Sequence, residues 1–451
     1  MSLEVSRINK CDEKRSYLFL SLVLLLGLIL RIILSSYGTY DPDFGTWRAW
    51  AYGIYHTGFY EFYSKIWCDY MPGYIYILWF LQLVHETFKQ IPYEVLFKLP
   101  ANLSDLGISV IIFIALKKTT TIKVAFLSSV IYFFNPASLS NSTFWGQVDS
   151  VHTLPILLSI FMGLKRRYIL SGVFASCAFM IKPQSIVVFP VLGILALERL
   201  LVREEAKGTV NLLPIIAFSI TALLTIVVIT LPFIFYKIDD FFSLFIDPVI
   251  FLGDRFQGAY TQYKVASLNA FNFWGMVAMW RSDQTEFLGV TYQRWGTLVF
   301  AMINITVVVF IISLMTKRKS LISSEFDYRI YQGVTIILFA LFLFVTRAHE
   351  RHLLPTIALF TLIAFRNWIF WLLYGLTSLI YVINMFYAYL ELTMRNMPPS
   401  VYLSVIKEFI FGLGLLLIVI FLILIVDYVR SFLTIYQNQE SIIKKGEGVV
   451  S

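Results

Sequence analysis

The sequence predicts an all-α polytopic membrane protein, and three observations carry that reading. Of 451 residues, 58% are hydrophobic and only 14% charged, with a mean hydropathy of +0.75, which leaves too little polar surface to coat a soluble globule. Apolar runs of about 20 residues, the length that crosses a hydrocarbon core, recur along the chain. The basic residues gather in short clusters between those runs, so the net charge of +8 reads as membrane topology and predicts no nucleic-acid partner.

The first run, Tyr17–Ser36, follows Arg7, Lys10, Lys14 and Arg15 and has no small-residue cleavage site after it. It is expected to be a retained helix with a cytoplasmic N-terminus. Further spans are expected near 95–116, 122–141, 148–164, 168–182, 184–201, 210–235, 297–316, 328–346, 350–365, 367–390 and 403–430, which makes about twelve crossings. Pro72–Phe88 is the awkward run. Treated as a helix lying in the outer interface, it lets Lys117–Lys118, Lys123, Lys165–Arg167 and Lys317–Lys319 all fall on the cytoplasmic side, as the positive-inside rule prefers.

That topology gives one transmembrane domain over 1–435, with interfacial helices in a first outer loop at 37–93, a large outer segment at 236–296 and both termini cytoplasmic. The tail 436–451, ending in Lys444–Gly448, is expected to be disordered. Cys11, Cys68 and Cys177 lie in unrelated segments and imply neither a disulfide framework nor a zinc site.

The same topology brings the polar groups near helix ends out on one face. They are the acidic, aromatic stretch from Asp41-Pro42-Asp43 to Asp69-Tyr70, the group Trp145 to Asp149, Lys182-Pro183-Gln184, the segment 236–296, and Arg347 to His352. Ionisable residues at membrane depth are costly and mark functional sites by default. Each has a plainer alternative: Asp149 as a helix cap, Lys182 as a snorkelling terminal lysine, Arg347–His352 as a solvated turn, and the aromatics as an interfacial belt. Against these, Arg347, His349, Arg351 and His352 form a patch suited to phosphate, because the guanidinium presents a planar fork to phosphate oxygens. Asn269, Asn272 and Trp274 have the composition of a sugar site.

Taken in order, Asp41-Pro-Asp43, Asp69-Tyr70-Met71-Pro72-Gly73-Tyr74, Asn135-Pro136, Trp145-Gly146-Gln147-Val148-Asp149-Ser150, Lys182-Pro183-Gln184, Asn269-Ala270-Phe271-Asn272 and His349-Glu350-Arg351-His352 resemble the glycosylphosphatidylinositol mannosyltransferase II-like family of the GT-C superfamily. The resemblance runs from about Asp41 to Pro355. Met71 stands where that family usually has a second proline, and His352 where it tends to have tyrosine. The resemblance implies a GT-C-like bundle that moves a hexose, mannose by the family's name, from a polyprenyl-phosphate donor to a lipid or glycan acceptor on the outer face. It implies an acidic motif at the acceptor, donor phosphate held by Lys182, Arg347, His349, Arg351 and His352, and substrate contacts from Asp69, Tyr70, Gln147, Gln184 and Glu350.

Sugar transfer from a lipid phosphate to a hydroxyl needs a carboxylate to take the acceptor proton and cations to neutralise the leaving group. Asp43 is the first choice for the base, with Asp41 next and Asp149 in a positioning role. No cofactor is required on this reading, while a Mg2+ or Mn2+ site at Asp41, Asp43 and Asp149 stays open. The competing class is a transporter or flippase for a lipid-linked sugar, which usually carries paired repeats and matching broken helices.

Overall fold

The computed structural model describes residues 2–201, 211–235, 238, 240–318, 321–393 and 401–447. About 82% of the chain is helical and its strands are two residues long, so the fold is all-α. Among the described residues, eight helices are long and apolar enough to cross a membrane, the make-up of a multi-pass membrane protein: Lys14–Leu34, Tyr93–Leu116, Ile122–Trp145, Leu213–Ile234, Tyr292–Thr316, Ser323–Phe344, Trp368–Thr393 and Phe409–Thr434. They answer eight of the twelve expected runs. The other four fold as shorter helices, Asp149–Leu164, Tyr168–Ile181, Phe189–Ala196 and Leu354–Ala364. Their sequences explain the shortening. Pro183 opens a 3-10 turn, Pro183–Val188, ahead of Phe189, and a second such turn, Glu350–Leu353, takes the start of the run that continues into Leu354-Pro355.

Burial sorts the helices into centre and periphery. Ser323–Phe344 is 89% buried over its apolar window and Lys14–Leu34 only 22%, so the first is a core helix and the second presents most of its surface outward. The main core joins Ser323–Phe344 to Leu354–Ala364, Trp368–Thr393, Tyr93–Leu116 and Asp149–Leu164. Tyr168–Ile181 packs on Leu213–Ile234 through small residues, since a methyl on Gly172 would lie 2.6 Å from the Phe218 carbonyl. Such contacts let backbones approach where lipid supplies no hydrophobic drive.

The first outer loop holds two helices, Asp41–Lys65 and Pro72–Thr87, which share a second core with Phe97, Val151 and Phe233. The first of them begins at Asp41, with Pro42 at an early helical position where its missing N–H costs nothing. It kinks at Gly58 (φ 70°). Pro72–Thr87, 16 residues long, is shorter than a full span. Beyond Ile234 the outer segment folds into the helix Ser243–Gln262, the short helix Phe273–Ala278 and a hairpin pairing Glu286–Phe287 with Val290–Thr291. Ser267–Leu268 pairs in parallel with Ala348–His349, which ties that segment to the loop after Phe344. The last helix runs from Val401 to Glu447, past the boundary near 435 where order was expected to end, since no proline interrupts it and its first glycine after Gly414 is Gly446. Tyr236, Lys319 and residues 448–451, to which earlier expectations applied, lie outside the described residues.

Candidate functional site

One cavity of about 710 Å3 collects most of the expected residues. The first outer loop contributes Asp43, Asp69 and Tyr70 with the indoles of Trp47, Trp50 and Trp67. Gln147, Lys182 and Gln184 form the adjoining wall, and Asn269, Trp280 and Arg347 to His352 the opposite one. Ile181, Ile186, Val187, Phe256, Leu341 and Val345 make up an apolar share of the lining. The chamber is therefore amphipathic.

Asp43 sits in the first turn of its helix, and its Oδ2 accepts hydrogen bonds from Trp145 Nε1 (3.1 Å) and Gln147 Nε2 (2.7 Å). Asp41 is two residues earlier, about 200° away around the helix axis. It is exposed and does not line the cavity. Asp149 is fully buried behind the wall: its Oδ1 accepts from Lys182 Nζ at 2.6 Å and its Oδ2 from Asn141 Nδ2 at 3.4 Å. It neither caps its helix through its side chain nor reaches the chamber. Among the described residues no three His, Cys, Asp or Glu side chains gather as a metal-ligating group, so Asp41, Asp43 and Asp149 are not brought together.

The Arg347–His352 segment divides in two. Arg347, at φ 65°, donates through Nε to the buried Asp283 Oδ2 (2.6 Å) and through Nη1 to the Tyr260 carbonyl, and its guanidinium lies 4.0 Å from the Tyr260 ring centre. These contacts tie it to the segment 238–296, while it also lines the cavity. Arg351 pairs with Glu350 Oε1 at 2.9 Å, its Nε is buried without a partner, and its charge is felt at Glu350, Asp43 and Asp149. Desolvation holds the imidazoles of His349 and His352 well below the ordinary histidine range. Both line the cavity beside Arg351 and Lys182, the latter paired with the buried Asp149. The His349 backbone N–H already donates to His352 Nδ1 (3.3 Å).

Two expected sugar contacts are scaffold instead. Asn272 caps the helix Phe273–Ala278 by accepting from Gly275 N (2.7 Å) and donates to the Phe342 carbonyl (2.9 Å), and Trp274 Nε1 donates to the Phe344 carbonyl (2.6 Å). Both are buried and neither lines the cavity, because a break in a helical bundle exposes backbone groups that these polar side chains satisfy. Asn269 does line it, and its Oδ1 accepts from Trp280 Nε1 (2.8 Å). Asp69 Oδ1 is buried without a hydrogen-bond partner. Burial pushes the Asp69 carboxyl up from its ordinary 3.8, against a backbone hydrogen bond and Arg351.

Sequence reasoning passed over Arg31 and Asp105. Arg31 Nη1 donates to Asp105 Oδ2 (2.7 Å) and Nη2 to Ser138 Oγ (2.7 Å) and the Phe133 carbonyl, while Asp105 Oδ1 accepts from Tyr132 (2.8 Å) and Ser150 (2.6 Å). Charges inside the apolar runs 17–36 and 95–116 were the available signal. No family model matches the chain, and no curated protein matches it either.

Proposed function

We propose that the protein is a membrane glycosyltransferase of GT-C-like architecture, which moves a hexose, in our reading mannose, from a polyprenyl-phosphate donor to a hydroxyl of a lipid or glycan acceptor. The amphipathic chamber is the observation that carries this reading: a carboxylate at Asp43, two cations at Arg351 and Lys182 and an apolar wall share one space. A substrate with a long hydrocarbon chain, a phosphate and a sugar has matching parts. Asp43 takes the acceptor proton as the acceptor oxygen bonds to the anomeric carbon. The bond from that carbon to the phosphate oxygen breaks, and the lipid phosphate leaves with its charge met by Arg351 and Lys182. Asp69, Tyr70, Gln184, Asn269 and Glu350 line the space where the sugar and acceptor would lie.

In this reading the four shorter helices complete about twelve crossings, both termini are cytoplasmic and the chamber opens outward. Cysteines at Lys65 and Lys89 then both label from outside in intact cells, and labelling of the second only after permeabilisation overturns the orientation. For the activity, membrane lipids and glycans from cells with and without the protein are compared by mass spectrometry. Transfer gives a species heavier by one hexose. A flippase alters the sidedness of a lipid-linked sugar and leaves its mass unchanged.

A further inference from the structure

Asp43 is held by a device that the proposed reaction has not yet used. Trp145 and Gln147 both donate to the same oxygen, Oδ2, and among the described residues Oδ1 has no hydrogen-bond partner. Indole N–H can only donate, and a carboxylate can only accept when ionised, so the polarity of the first contact is fixed. The Gln147 amide must turn its NH2 toward the carboxylate, since its oxygen would face like charge. Its Oε1 is buried without a partner, so among the described residues no other hydrogen bond sets the orientation of that amide.

The two donors come from an irregular stretch. Leu139–Trp145 is a π-helical segment closed by Gly146 at φ 83°, and the N–H groups of Gly146 and Gln147 both donate to the Asn141 carbonyl, at 2.9 and 2.8 Å. That turn lets residues 145 and 147 reach one atom, which regular helical spacing would not allow. A methyl on Gly146 would meet the Lys98 stem at 2.7 Å, and Lys98 Nζ is itself bound to the carbonyls of Ser35 and Tyr37. Trp145 is boxed edge-on by the rings of Tyr40 and Tyr389. With Trp145 4% and Gln147 1% exposed, the clamp is rigid before any ligand arrives.

Resting on the reading above, we infer that Trp145 and Gln147 are positioning residues for Asp43, which fix Oδ2 so that Oδ1 is the oxygen that takes the acceptor proton. Two donors on one oxygen remove the carboxylate's freedom to rotate and leave its second oxygen for the reacting hydroxyl.

The test uses the full chain in membranes, supplied with polyprenyl phosphate [3H]mannose and the acceptors those membranes contain. Trp145→Phe keeps the ring and deletes one N–H, and Gln147→Met keeps the length and deletes the other. Each lowers kcat by about tenfold, the effect of one hydrogen bond to a charged group, with donor KM within about twofold and the unfolding midpoint retained. In an Asp43→Asn background neither substitution lowers the residual rate further, because the group they position is gone. Equal losses with and without Asp43, or a raised KM at unchanged kcat, overturn the positioning role. If Asp43→Asn is inactive while both variants keep wild-type kcat, the positioning role fails and the transferase reading stands. If the wild type transfers no mannose, or Asp43→Asn is as active as wild type, the reading fails and takes the inference with it.

Discussion

Two buried charged regions, the Arg31–Asp105 pair and the cavity around Asp43, differ in what their polar atoms face. At Arg31–Asp105 both carboxylate oxygens of the acid are answered by protein donors, Arg31 Nε is the pair's one buried atom without a partner, and the pair is 1% and 0% exposed. In the cavity Asp69 Oδ1, Gln147 Oε1 and Arg351 Nε are buried without partners beside about 710 Å3 of space. An unanswered buried polar atom costs roughly 1 to 3 kcal/mol, and three of them belong to residues that line this one cavity.

The comparison breaks or sharpens at four points. The largest effect is expected at the closed pair: Arg31→Met leaves Asp105 buried and unpaired and lowers stability by about 3 to 5 kcal/mol, read by denaturant unfolding in detergent. The molecules that do fold retain lipid binding. If Arg31→Met instead left stability intact and abolished activity, the pair would belong to the site. Next, Asp43→Asn keeps the fold and reduces turnover by at least about a hundredfold, measured as mannose incorporation. Third, the two arginines part company. Arg351→Ala weakens binding of a fluorescent polyprenyl phosphate by on the order of 2 kcal/mol, and Arg351→Lys by less, since charge survives while the fork is lost. Arg347→Lys leaves that affinity unchanged and lowers the unfolding midpoint through its lost Asp283 contact.

The smallest effect is a pH dependence. The folded-state pKa of Asp69 lies above its ordinary 3.8, so the folded state binds the proton more tightly than the unfolded chain. Its stabilising contribution is full below 3.8 and is lost as pH rises through the folded value. Asp69→Asn removes that decline, and the stability curve above pH 3.8 flattens, read as unfolding midpoint against pH. An unchanged slope would show that another group titrates there.

The helices were legible because apolar length is written in the sequence, and the gathering of Asp43, Asp69, Lys182 and Arg351 followed from the clustering of polar groups at helix ends. What could not be read was pairing. Arg347 finds Asp283, Asp149 finds Lys182 and Gln147 finds Asp43 only through the fold. Composition alone gives Arg347 and Arg351 the same chemistry. Asn272 and Trp274 had the right side chains for a sugar, yet the C-terminal turn of Ser323–Phe344 left the carbonyls of Phe342 and Phe344, which claimed them. Arg31 and Asp105 were masked by their surroundings, Arg31 the single charge within 17–36 and Asp105 sharing 95–116 only with Lys98.

The short parallel pairing of Ser267–Leu268 with Ala348–His349 has a consequence for how the molecule is made. Asp43 and its clamp at Trp145 and Gln147 are synthesised in the first third of the chain, and the wall with Arg351 comes more than three-quarters of the way along. A nascent chain can therefore complete its carboxylate half while the facing half does not yet exist, and the two-residue ladder can form only after residue 349 has left the ribosome. Chains released before that point carry Asp43, Asp69 and Lys182 without the Arg351 part of the lining.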